Sequence, residues 1–193
     1  MPMTDKLPIV PMTGVRTRFP VATTIAMLTW VVCTALYHLG AEGLFLAVRR
    51  DPRALADGQW WRVISPVLMQ PDSVPVVIGL GASVAVVGIA GERVLGTWRW
   101  CLLFVAGALA GEAVGEVWQP YSAGISVGGC GVLGGLAAYV LITRRAEKQL
   151  LVVSAVVVVG AVVLSVITDI HGPAILAGVL VGAVLVLVSR SRS

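Results

Sequence analysis

Six stretches of mostly apolar residues, near 21–40, 73–91, 100–118, 122–143, 149–168 and 171–189, constrain this chain more than any other feature. A helix needs about 20 residues to cross roughly 30 Å of hydrocarbon, where an open backbone amide finds no partner. With 58% hydrophobic and only 12% charged residues, the chain reads as an all-α polytopic membrane protein, a bundle of six transmembrane helices, and soluble classes are excluded. Residues 1–19 read as an N-terminal tail, 20–189 as one membrane domain, and 190–193 as a short C-terminal end. The first span lacks a small-residue cleavage site after it and reads as a retained helix rather than a signal peptide.

Cytoplasmic loops retain Lys and Arg during insertion. One side of the spans collects Lys6, Arg16, Arg18, Arg93, Arg99, Arg144, Arg145, Lys148, Arg190 and Arg192; the other has Arg49, Arg50, Arg53 and Arg62. Both termini are therefore expected on the cytoplasmic side of a plasma (inner) membrane. Topology accounts for the net charge of +4, so the lipid bilayer is the expected partner and nucleic acid is not. Trp98, Trp100 and Trp118 flank the third span, where interfacial rings are expected.

Small residues recur at helical spacing: Gly107, Gly111 and Gly115; Gly124, Gly128, Gly131 and Gly135; Ala174, Gly178 and Gly182. In lipid such stripes allow close helix packing, which leaves little room for a wide aqueous pore. The cysteines, Cys33, Cys101 and Cys130, lie in different spans, without metal-ligand or disulfide-framework spacing. No cofactor or metal is expected, and Cys33 and Cys101 read as small buried apolar groups.

An ionisable group within a span is a functional candidate. His171 opens the sixth span, just after Asp169. His38 reads as an interfacial anchor, and Glu112 and Glu116 as a solvated helix end. Cys130, within Gly128-Gly129-Cys130-Gly131, holds the place where a nucleophile would be sought.

Four motifs in order resemble the rhomboid intramembrane proteases, from about residue 21 to 189. Gly58-Gln59-Trp60-Trp61-Arg62 with Ser65-Pro66 is similar to that family's loop after the first helix. Glu92-Arg93-x-x-Gly96 is similar to the end of its second helix. Gly128-Gly129-Cys130-Gly131 is similar to its G-x-S-G serine motif, and His171-x-x-Ala174-x-x-x-Gly178 to the H-x-x-G-x-x-x-G of its sixth helix.

The resemblance implies a nucleophile–histidine dyad that cleaves transmembrane segments of other proteins, with Cys130 and His171 in the dyad positions. It also marks departures. Cysteine replaces serine. The oxyanion-donor positions of the second helix fall near Val76 and Leu80, or Pro75 and Gly79 with a slip of one. Gly134 stands where an aromatic ring is expected four residues after the nucleophile, and Gln70 where a histidine is common. Ser126, one turn before Cys130, reads as a loop serine bonding the backbone, and Asp169 as too close in sequence to orient the His171 ring.

A retained scaffold with an eroded site leads to the expectation of a pseudoprotease that binds transmembrane segments of client proteins. The alternative is an active endopeptidase using Cys130 and His171. A small transporter ranks third, since buried charges in several spans are not apparent.

Overall fold

The computed structural model describes residues 19–144 and 146–191. The expected tail through residue 18, with Lys6, Arg16 and Arg18, lies outside these, as do Arg145 and Arg192. Among the described residues, six helices are long and apolar enough to cross a membrane: α1 (Val21–His38), α4 (Val74–Leu95), α5 (Thr97–Trp118), α6 (Ser126–Thr143), α7 (Lys148–Val166) and α8 (His171–Arg190). The connection between α1 and α4 carries two short helices, α2 (Glu42–Val48) and α3 (Pro52–Ala56), followed by 3₁₀ turns at Trp60–Val63 and Ser65–Leu68. The expected six-helix, rhomboid-like bundle is what forms.

Helix α6 is the central element, packed on α5, α8, α4 and α7. Apolar surface gives helices little reason to associate in lipid, so contact depends on how closely backbones approach. A Cβ on Gly131 would lie 2.2 Å from the Leu103 carbonyl oxygen, and one on Gly178 would lie 2.0 Å from the Gly131 oxygen. Only hydrogen fits at either position, so the backbones of α5, α6 and α8 touch at one level. The small-residue stripes of the sequence are the packing faces.

The Glu92-Arg93-x-x-Gly96 motif has a physical account at the other end of α4. The Glu92 carboxylate is fully buried and accepts from the N–H groups of Ala22 (3.0 Å) and Thr23 (2.8 Å) and from the hydroxyls of Thr23 and Thr97 (2.8 Å each). It thus satisfies the first turn of α1, whose N–H groups have no intrahelical acceptor, and fastens it to α4 and α5. Gly96 links α4 to α5 at φ 86° and ψ 158°, a conformation reserved for glycine.

The Trp-Arg loop motif does similar work at the opposite end. Helix α2 ends with carbonyls that its own turns cannot use. Arg62, buried within the loop, donates to the oxygens of Arg49 (2.7 Å) and Leu46 (2.9 Å) and to Gln59 Oε1 (2.8 Å). Trp61 Nε1 donates to Ala47 O and Ser65 Oγ to Val48 O. Because the fork of the guanidinium reaches three acceptors at once, Arg62→Lys is expected to destabilise the fold by about 2 kcal/mol. Unchanged thermal unfolding of this variant in detergent micelles would show that the loop does not depend on the fork.

Several expectations are corrected here. Trp100 is buried and stacks on Phe104 with ring centroids 5.0 Å apart, so it is a core residue; Trp98 is the exposed ring beside it. Cys101 is exposed on the bundle surface. Glu112 is no solvated helix end: it is buried against Arg50, whose Nε lies 3.3 Å from Glu112 Oε2. Glu116, one turn on, is half-buried. Finally, α6 starts at Ser126, which is therefore a helix residue and not part of the preceding loop.

Candidate active site

Helices α6 and α8 begin at the same end of the bundle, the end that carries the long α1–α4 connection. Their first residues are Ser126 and His171. Ser126 Oγ lies 2.8 Å from His171 Nε2. On its other side the imidazole meets Asp169: Nδ1 is 2.6 Å from Asp169 Oδ1, and the His171 backbone N–H donates to the same oxygen at 2.8 Å.

This differs from the sequence reading, which paired His171 with Cys130. Cys130 lies one helical turn further along α6, and its side chain packs against an apolar cluster that includes Val67, Ala108 and Ala174. No hydrogen bond joins it to His171 among the described residues. Residues four apart share a helix face but are separated by about 6 Å along the axis, so only one can meet a histidine that opens the neighbouring helix. Ser126 is level with that opening. Counted from Ser126, the position where an aromatic ring was expected is Cys130 itself.

Asp169 also proves able to orient the ring, contrary to the sequence expectation. Helix α7 ends in a Schellman arrangement: Asp169 N–H donates to Leu164 O and Thr168 N–H to Ser165 O, with Thr168 at φ 59°. The chain reverses there and turns the Asp169 carboxylate back over the first turn of α8. Burial alone would raise the pKa of Asp169, but the bonds from His171 and its nearby ring hold the carboxyl below its usual value. An ionised carboxylate only accepts, so Nδ1 carries the proton and the lone pair of Nε2 faces the Ser126 hydroxyl.

The segment leading into Ser126 is pinned on three sides. Gly124 N–H donates to Pro66 O at 2.9 Å, and the Gln70 side chain lies so close that a Cβ on Gly124 would be 2.9 Å from Gln70 Oε1. Gln70 is itself held by Thr34, which accepts its backbone N–H, and by a bond from its amide to Asp72. Ile125 is buried with Trp30 and Val84. Gln70 thus positions the Gly124 turn from the place where the resemblance led us to look for a histidine.

A cleft of about 340 Å³ opens between α4 and α6 beside the Ser126 hydroxyl. Gly79, Leu80 and Ser83 form part of one wall, and Gly129 and Cys130 part of the other. Val76 and Leu80, near which the resemblance places oxyanion donors, carry no donor group in their side chains. Ser83 has a hydroxyl, but it donates to Gly79 O at 2.9 Å. The first turn of α6 supplies donors of another kind. Its opening N–H groups precede the first helical acceptor and carry the positive end of the helix dipole. The local motif Gly124-Ile125-Ser126 was the sequence signal that could have found this site.

These observations define a class: a polytopic helical membrane protein with a hydroxyl, an imidazole and a carboxylate aligned at the mouth of an intramembrane cleft. The rhomboid domain model matches residues 57–192, well over half of the chain, and the chain belongs to the rhomboid family. Rhomboid protease GluP of Bacillus subtilis (strain 168) is 32% identical over 97 residues, covering 50% of this chain and 19% of that protein. The aligned part is thus about a fifth of that relative's length.

Proposed function

We propose that this chain is an intramembrane serine endopeptidase that cleaves transmembrane segments of other proteins, with Ser126 as nucleophile and His171 as general base. The observation that carries the reading is the 2.8 Å contact between Ser126 Oγ and His171 Nε2. His171 takes the Ser126 proton as Oγ bonds to the scissile carbonyl carbon. The resulting oxyanion is met by N–H groups of the first turn of α6. When the C–N bond breaks, His171 gives its proton to the leaving amine, and a water activated by the same nitrogen then releases the acyl group from Ser126. Asp169 holds the ring in the required tautomer and stabilises the imidazolium. The Lys and Arg distribution supports cytoplasmic termini, which puts this site toward the opposite face of the membrane.

The test is labelling of the purified chain in proteoliposomes with a fluorophosphonate, followed by peptide mapping. Label on Ser126 that is lost in His171→Ala supports the reading; a folded chain that takes up no label sinks it.

Asp169→Asn is expected to lower kcat by up to about 10⁴-fold by leaving the imidazole free to adopt the wrong tautomer; activity within a few-fold of the native chain would remove Asp169 from the mechanism. A lowered folded pKa also gives a sign. The stability that Asp169 contributes is complete above its ordinary pKa of about 3.9 and is lost as the pH falls through the lower folded value. The difference in thermal midpoint between native and Asp169→Asn chains should therefore persist across neutral pH and close only in strong acid.

The apolar lining at Leu80, Val84 and Leu133 favours a second reading, in which the chain binds client transmembrane segments and does not cut them. Losing one oxyanion donor costs about 10²–10³ in rate in other hydrolases. Backbone donors on α6 offset that loss in the first reading and are irrelevant in the second.

A further inference from the structure

The last turns of α5 carry two carboxylates, Glu112 and Glu116, four residues apart. The α1–α4 connection meets them with a single guanidinium, Arg50. The Arg50 and Glu112 side chains are only 2% and 1% exposed, and the carboxylate oxygens of Glu116 are buried although the residue as a whole is half-buried. Arg50 Nε stands 3.3 Å from Glu112 Oε2. Yet none of the four carboxylate oxygens accepts a hydrogen bond from a described residue, and Arg50 Nε and Nη1 donate none.

The other charged groups around this pair are engaged, exposed or distant. In the connection, Asp51 caps α3 and pairs with Arg49, Arg62 donates to Leu46 O, Arg49 O and Gln59, and Asp72 is bonded to Gln70. Glu42, Arg53 and Asp57 are exposed. Of the helices packed on α5, α6 has no charged side chain, His171 of α8 is held by Asp169, and His38 of α1 is exposed. Glu92, Arg93, Arg99 and Arg190 lie at the opposite end of the bundle. Full ionisation would therefore set two buried negative charges against one positive charge. Carboxylates that share a site resist ionising together and bind protons as a unit.

We propose that Glu112 and Glu116 form a proton-binding site, which at neutral pH holds one exchangeable proton that reaches solvent through the half-buried Glu116. With the proton bound, Arg50 faces one carboxylate and one neutral carboxyl, so the charges balance. Residues four apart lie on one helix face, where a protonated carboxyl can donate its O–H to its ionised neighbour. Loss of the proton restores the repulsion and weakens the attachment of the connection to α5, so this joint loosens as the pH rises. The site is independent of which residue is the nucleophile.

Infrared spectra of the chain in proteoliposomes at neutral pH test the proposal. The native chain is expected to show the carbonyl stretch of a protonated carboxyl, shifted in heavy water. The band should be missing from both Glu112→Gln and Glu116→Gln, each of which leaves one carboxylate for Arg50. Because the folded native chain binds one proton more than the unfolded chain, its folding constant in micelles should fall relative to Glu116→Gln, by up to about tenfold per pH unit above the ordinary glutamate range. In the native chain the band should fade over the same rise in pH that lowers stability, so the test survives a variant that does not fold. No such band at neutral pH, a band that both variants keep, or a stability that does not respond to pH overturns the proposal. So does a stability that follows sodium concentration in place of pH, which would mean that a metal cation supplies the balancing charge.

Discussion

Ser126→Ala is expected to lower kcat/KM for a transmembrane substrate by at least about 10³-fold, whereas Cys130→Ala should leave cleavage of a small-residue substrate within about threefold. The asymmetry follows from what each side chain touches. The Ser126 hydroxyl is hydrogen-bonded to His171, and in the proposed mechanism its removal takes away the atom that attacks. The Cys130 thiol packs against an apolar cluster and faces the cleft, so its removal changes shape and not chemistry. His171→Ala should match Ser126→Ala, and the double variant should be no worse than either, because residues that act as one unit do not add. Loss of activity in Cys130→Ala with retention in Ser126→Ala would return the nucleophile to the cysteine. No cleavage of any substrate by the native chain, with binding intact, would favour the client-binding reading.

The fold could be read almost whole from the sequence because lipid simplifies the code. Span length, the glycine stripes and the charge asymmetry each answer to one physical demand, and the helices formed where length and hydropathy placed them. The Glu92 and Arg62 motifs were legible as landmarks. Their work, satisfying orphan amides of α1 and orphan carbonyls of α2, appears only when the partners 70 and 16 residues away are in place. The site was harder to read for a local reason. The run from Gly124 to Gly135 contains six glycines, so a G-x-nucleophile pattern fits at both Ser126 and Cys130. The flanking Gly131 favoured the cysteine. What brings Ser126 and not Cys130 to His171 is where α6 begins relative to α8, a tertiary fact. Asp169 was discounted on sequence separation, but the left-handed turn at Thr168 folds the carboxylate back onto the ring.

The same tertiary dependence makes Arg50 the residue whose loss should cost the most stability. Arg50 and Glu112 are both almost fully buried, and a buried ion pair broken on one side leaves an uncompensated charge at a cost of about 3–5 kcal/mol. Arg50→Met is therefore expected to destabilise the chain by that amount in micelles, with Glu116 worsening the loss, since it stands one turn from Glu112 on α5. Glu112→Leu should rescue much of it: the double variant Arg50→Met/Glu112→Leu should be more stable than Arg50→Met alone, because no unpaired charge then remains. Gly115 belongs to the same arrangement. A Cβ there would lie 2.0 Å from Arg50 Nη1, so Gly115→Ala must push the guanidinium off α5 and should reproduce part of the Arg50→Met defect. The consequence reaches the site, since the Arg50 N–H donates to Ser122 O at 2.9 Å in the segment that enters α6 at Ser126. Cleavage should accordingly fall in Arg50→Met at temperatures where the fold still holds. An Arg50→Met chain as stable as the native one, or a double variant no better than the single, would mean that the pair does not lock the α1–α4 connection to α5.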